Sequence, residues 1–157
     1  NCLKNFPNTN LIFTLPNFDK GSDIIGDEIR KFCNKRENAY FYKSLGQKLY
    51  FSTIQYVDGV IGNSSSGLTE VPMFSKGTVN IGNRQKGRLK KESIIDCKPI
   101  KEDITRAIKR LYSDEFNKIL NLSNNDDLSL ETSKYIVKIL EKLNFKNLEN
   151  KKFYDLN

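Results

Sequence analysis

The residues best suited to chemistry lie in one short stretch, Val60-Ile-Gly-Asn-Ser-Ser-Ser-Gly-Leu-Thr-Glu70. A hydrophobic run enters Gly62-Asn63, three serines follow, and Gly67 leads into a helical pattern. Such a turn can hold phosphate. A helix start presents unpaired backbone N–H groups and a partial positive charge. Small residues admit a diphosphate close to the backbone, and Ser64, Ser65 and Ser66 add hydroxyl donors. Glu70 lies one helical turn further on, where a carboxylate can accept two hydrogen bonds from a ribose diol. The same residues equally describe a polar turn with a helix cap, and local sequence alone does not separate the two. No Gly-Lys-Ser/Thr follows, so this is not a P-loop, and the Gly-x-Gly-x-x-Gly fingerprint is absent. A metal-bound triphosphate is therefore disfavoured.

A second stretch, Asn80-Ile-Gly-Asn-Arg-Gln-Lys-Gly-Arg88, leaves the end of a predicted strand carrying three cations. Arg84 has the planar fork that suits phosphate oxygens. Lys86, Arg88, Lys90 and Lys91 read as a solvated basic loop. A cation loop and a helix start leaving adjacent strands at one sheet edge converge on one anion.

Composition sets the bounds. The chain has 157 residues and a net charge of +7, with no His, no Trp and three Cys. Zero His excludes Ser-His or Cys-His nucleophile activation and His-ligated zinc from this polypeptide. The positive charge comes mostly from Lys, 20 of 26 cations, spread along a chain that also holds 18 Asn. Spread of that kind fits compositional bias better than a nucleic-acid surface, and no aromatic interleaves the cluster Lys86 to Lys91 to stack bases. Cys2, Cys33 and Cys97 form no C-x-x-C pair, and an odd count argues against a disulfide framework. The expected setting is cytoplasmic. No apolar run reaches the roughly 20 residues of a membrane span, and no basic-then-apolar signal segment opens the chain. The first residue is Asn1 rather than Met, which leaves room for residues upstream.

Strand and helix patterns alternate. Strands are predicted at 11–15, 39–42, 57–61, 77–81 and 93–96. Between them lie a helix capped by Ser22, with Ile25, Ile29, Phe32 and Cys33 on one stripe, a weaker one over 49–56, and a short one over 68–74. Three helices close the chain: one carrying Ile104, Ala107, Ile108 and Leu111, one carrying Phe116, Ile119 and Leu120, and one over 130–143. This order predicts an α/β domain with a Rossmann-like parallel sheet and helices on both faces, occupying residues 1–143. Residues 144–157 read as a polar tail. Ligands of such folds bind at the carboxyl ends of the strands, where the loop Gly82–Glu92 lies.

Taken together, Ile61-Gly-Asn-Ser-Ser-Ser-Gly-Leu-Thr-Glu-Val71, Thr78-Val-Asn-Ile-Gly-Asn-Arg-Gln-Lys-Gly-Arg-Leu89 and Glu92-Ser-Ile-Ile-Asp-Cys97 closely resemble the hydrolysing UDP-N-acetylglucosamine 2-epimerases. The branch most resembled feeds sialic-acid-type nonulosonate synthesis. Leu15-Pro-Asn-Phe-Asp-Lys-Gly21 and Lys43-Ser-Leu-Gly-Gln47 also fit. The resemblance implies two Rossmann-like domains in the GT-B arrangement, with UDP-sugar in the cleft between them and this chain forming most of the second. It implies that Ser64 and Ser65, within the turn Asn63–Gly67 that includes Ser66, hold the diphosphate together with Arg84. It also implies that Glu70 binds the ribose, that Asn17 faces the sugar or diphosphate, and that Ser44, Leu45 and Gly46 form the uracil slot. No cofactor or metal is implied, nor any nucleic-acid or membrane partner, and the full-length protein is expected to be a homo-oligomer.

The family's His at the end of this domain's first strand has no counterpart here. Its proton-transferring carboxylates belong mainly to the other domain, so no catalytic residue is assigned to this chain. Leu122-Ser-Asn-Asn-Asp-Asp-Leu128 stands where the family has a Gly-Asp-Gly-Asn run. The resemblance further implies that a central first strand lies upstream. Without it two strands face a gap, and these residues alone are expected to be marginally stable or to associate. Two other functions remain open at this stage: a GT-B glycosyltransferase, and a non-catalytic basic module for nucleic acid supported by charge alone.

Overall fold

The computed structural model describes residues 2–16, 21–122 and 132–143. Two compact units are present, Asn1–Asn124 and Asn125–Asn157. The first contains β1 (Leu11–Thr14), α1 (Ser22–Cys33), β2 (Ala39–Tyr42), α2 (Gly46–Tyr56), β3 (Gly59–Gly62), α3 (Ser66–Thr69), β4 (Gly77–Ile81), β5 (Ile94–Cys97), α4 (Lys101–Leu111) and α5 (Asp114–Leu122). The second contains α6 (Thr132–Lys142). The predicted tail, 144–157, lies outside the described residues.

All described strand pairs are parallel, and helices cover them, so the α/β class read from the sequence holds. β4 shows how. Its side chains alternate between faces, and residues 77–80 are buried. Val79 joins Ile95, Ala107, Ile108, Leu111, Phe116 and Leu120 in the core beneath α4 and α5. Thr78, on the other face, donates its hydroxyl to the Gly67 carbonyl of α3 at 2.7 Å. A β-carbon on Gly77 would come within 2.5 Å of both Leu111 Cδ1 and Phe116 Cε1, so only glycine lets α4 and α5 sit this close.

The strands form two sheets, β1-β2 and β3-β4-β5, so the parallel sheet is interrupted and two strands, β1 and β3, face a gap, as the resemblance led one to expect. Leu11 aligns with Ala39 in the first, Gly59 with Gly77 and Thr78 with Ile94 in the second. No ladder joins β1 to β3 among the described residues.

Several boundaries differ from the sequence reading. Ser22 is the first helical residue, and the N-cap is Gly21 at φ 88°, a left-handed conformation that glycine adopts without strain. α2 starts at Gly46 rather than Leu49, and Leu49 is exposed. β3 and β5 are shifted toward the carboxyl end, to 59–62 and 94–97. The helix expected over 68–74 is two pieces, the single turn α3 and a 3-10 turn Val71–Phe74. Pro72 has no N–H to continue the α-helical ladder, and that is where the pattern changes. An unexpected 3-10 turn spans Cys2–Asn5. It is held by Arg36, whose guanidinium donates to the carbonyls of Leu3 (2.8 Å), Phe6 (2.6 Å) and Thr9 (2.7 Å).

Candidate functional site

A cleft of about 770 Å³ opens where the strands end. It has a polar rim and an apolar side. The rim carries Ser44, Leu45 and Gly46 at the start of α2, Asn63, Ser64, Ser66 and Gly67 after β3, then Glu70 and Arg84. Phe13, Ile25, Ile29, Phe51, Val60 and Ile61 form the apolar side. Nine of the eleven residues singled out from the sequence therefore line one space. Ser65 is exposed but not among the lining residues, and Asn17 lies outside the described residues.

The serine turn follows from its sequence. Gly67 donates its N–H to the Ser64 carbonyl at 3.2 Å and Leu68 to the Ser65 carbonyl at 2.9 Å, which starts α3. The Ser66 N–H reaches the Ser64 hydroxyl at 3.4 Å. The amides of Ser64 and Ser65 donate to no acceptor among the described residues. A β-carbon at Gly67 would lie 2.7 Å from Thr78 Cγ2, so glycine brings the turn down onto β4.

The geometry differs from the expectation in two respects. First, α3 has only four residues. The charge at a helix end sums over aligned peptides, so one turn supplies little of it, and the positive charge that lines the cleft is that of Lys43 and Arg84. Second, the Ser66 hydroxyl is paired with the Tyr50 hydroxyl at 2.5 Å, whereas the cleft-lining hydroxyls of Ser44 and Ser64 each accept a backbone N–H, from Gly46 and Ser66, and keep their own protons to donate. Burial pushes the Tyr50 hydroxyl above its ordinary value, and the Glu70 charge adds to this against the opposing bond to Ser66. Tyr50 thus stays protonated and ties α2 to α3 across the cleft.

The cation loop is less solvated than its composition suggests. Lys90 Nζ pairs with Asp96 at 2.7 Å and its side chain is 28% exposed. Gln85 is 3% exposed and donates from Nε2 to the Asn63 carbonyl at 2.8 Å. Sequence reasoning overlooked Gln85 and Tyr50. Tyr50 lies one turn beyond Gly46 on α2, a signal of helical spacing, whereas nothing local marks Gln85 as buried. Among the described residues no group of three or more His, Cys, Asp or Glu is placed to hold a metal, and no helix is long and apolar enough to cross a membrane.

An open parallel α/β unit with a polar-rimmed cleft at its strand ends is the class these features define. The family model described as UDP-N-acetylglucosamine 2-epimerase matches residues 1–141. Polysialic acid biosynthesis protein P7 of Escherichia coli is 38% identical over 153 residues, covering 96% of this chain and 39% of that protein. The GDP/UDP-N,N'-diacetylbacillosamine 2-epimerase (hydrolyzing) of Campylobacter jejuni is 36% identical over 156 residues, covering 98% of this chain and 40% of that protein. UDP-N-acetylglucosamine 2-epimerase of Neisseria meningitidis is 26% identical over 148 residues, 94% of this chain and 39% of that one. The chain belongs to the UDP-N-acetylglucosamine 2-epimerase family. It spans about two-fifths of the length of these relatives.

Proposed function

We propose that this chain is the nucleotide-binding part of a hydrolysing UDP-N-acetylglucosamine 2-epimerase. In the intact protein the C2 proton of the sugar is removed and the C1–O bond to UDP breaks, leaving a glycal. Water then adds, hydroxyl to C1 and a proton to the opposite face of C2, releasing free N-acetylmannosamine. Proton transfer falls to groups outside these residues. A singly or doubly acetamido sugar, on UDP or GDP, fits the same leaving-group chemistry.

The work left to this chain is to stabilise the departing diphosphate. Donors aimed where negative charge grows lower the barrier more than they tighten ground-state binding. The observation that carries the reading is the convergence of Ser64, Glu70 and Arg84 with Ser44–Gly46 on one cleft. The Ser64 amide and the Arg84 fork take the diphosphate, Glu70 the ribose diol, and the main chain at Ser44–Gly46 the uracil edge. The apolar side of the cleft exceeds what a nucleotide needs and takes an extended strand from elsewhere in the intact protein. Tyr50 supports Ser66 rather than the ligand.

Arg84→Ala in the intact protein is expected to weaken UDP binding by about 1.5–3 kcal/mol, the range for hydrogen bonds to charged groups. Lys91→Ala, outside the cleft, is expected to leave it within about twofold, the scale of a distant surface change. Titration calorimetry reads both, and equal losses from the two substitutions would refute the assignment.

A further inference from the structure

The loop that presents Arg84 is held at fixed points on either side of that residue. Gly82, at φ 79°, donates its N–H to the Cys97 carbonyl at 2.9 Å and so pins the start of the loop to β5. Three residues on, Gln85 turns inward. It is 3% exposed in a segment whose neighbours Arg84 and Lys86 are exposed. Its Nε2 donates to the Asn63 carbonyl at 2.8 Å, bridging 22 residues of sequence to the serine turn. Its Oε1 has no partner among the described residues. The orientation of the amide is dictated, because a carbonyl acceptor requires the NH₂ end. The buried amide thus commits its donor to a single contact, with the Asn63–Ser66 turn.

We propose that Gln85 is a positioning residue that locks the cation loop onto the Asn63–Ser66 turn and thereby aims Arg84 into the cleft. The proposal rests on the reading of Arg84 as a diphosphate ligand. A free loop offers Arg84 many orientations, and the entropy of fixing one is charged against binding. Fixing the adjacent residue beforehand removes much of that cost. The bond also ties the two phosphate-holding segments together, so neither shifts without the other.

The test uses the intact protein, with UDP as probe and Gln85→Met as the variant, since Met keeps the length and volume and removes the donor. UDP affinity, read by NMR titration into the millimolar range, is expected to fall about tenfold, the upper scale of one lost neutral hydrogen bond. In an Arg84→Ala background the same substitution is expected to cost clearly less than it does in the wild type, because the part of its effect that acts through Arg84 is gone. Hydrogen exchange without ligand is expected to quicken together at the hydrogen-bonded amides of the two segments, Ser66, Gly67 and Leu68 in one and Lys86 and Arg88 in the other.

Wild-type affinity in Gln85→Met, or full additivity with Arg84→Ala, overturns the proposal, since a merely structural residue loses as much with Arg84 absent. Wild-type protein that binds neither UDP nor GDP refutes the functional reading instead. Exchange then decides the lock: coupled quickening sustains it without a nucleotide, and unchanged rates overturn it as well.

Discussion

Asp96 illustrates how one residue acquires a task that its type does not announce. Burial alone raises its carboxyl, but the Asn80 amide at 2.6 Å and the Lys90 ammonium outweigh this and hold it below the ordinary carboxylate value. A carboxylate depressed in the folded state adds stability above its unfolded value near 3.8, and that stability is lost as pH falls through the folded value. Asp96→Asn in the intact protein is therefore expected to flatten the acid limb of the stability curve between about pH 5 and pH 2. Urea midpoints across that range provide the check, and parallel curves for the two proteins would show that the carboxylate contributes nothing. Half of the Asp96 side chain is exposed, so solvent screening keeps the effect small. Arg84 was legible from type and place alone, as a forked cation just beyond a strand end. Lys90 was not, because its partner is brought back to it only by the turn into β5. Gln85 was missed for a related reason: a polar side chain declares its burial only once the fold encloses it.

Among the elements, β4 carries the tightest packing constraint. Gly77→Ala places a methyl within 2.5 Å of Leu111 and Phe116, which are 5% and 1% exposed. Neither has room to yield, so the expected destabilisation is about 1–3 kcal/mol, as for overpacking elsewhere. Chemical denaturation should register it as a lower midpoint at unchanged slope, and an unaltered midpoint would mean that α4 and α5 slide freely on the sheet. The existence of this strand was plain in the sequence, since Gly77-Thr-Val-Asn-Ile81 is a short β-prone run bounded by turn residues. Less plain was the stretch after it in space, where the apolar pattern of 68–74 suggested one helix. Periodicity reports which residues face inward and is insensitive to a change from α to 3-10 winding, which Pro72 imposes here. The apolar stripe of α1 was likewise identified, but Ile25 is 52% exposed because its face borders the open cleft.

At the level of the whole molecule, the break between β1 and β3 governs behaviour. Both strands present an unpaired edge, and apolar side chains from α1, α2 and β3 face the space between them. Local pattern marks each strand but not which strands pair, so the break was expected only from the resemblance and not from the residues of β1 and β3. Residues 1–157 produced alone are expected to melt early or to associate through these edges, whereas the intact protein melts cooperatively. Light scattering with a thermal scan distinguishes the cases, and a highly stable monomer of the piece would show that the edges need no cover. The division also bears on synthesis. The seven buried residues of the main apolar cluster all belong to β4, β5, α4 and α5. Translation runs from the amino end, so β1 and β2 leave the ribosome before the strands that own this cluster exist. Within these residues β1 and β2 contribute nothing to that cluster, and Tyr40 and Tyr42 of β2 are each nearly half exposed in the finished domain.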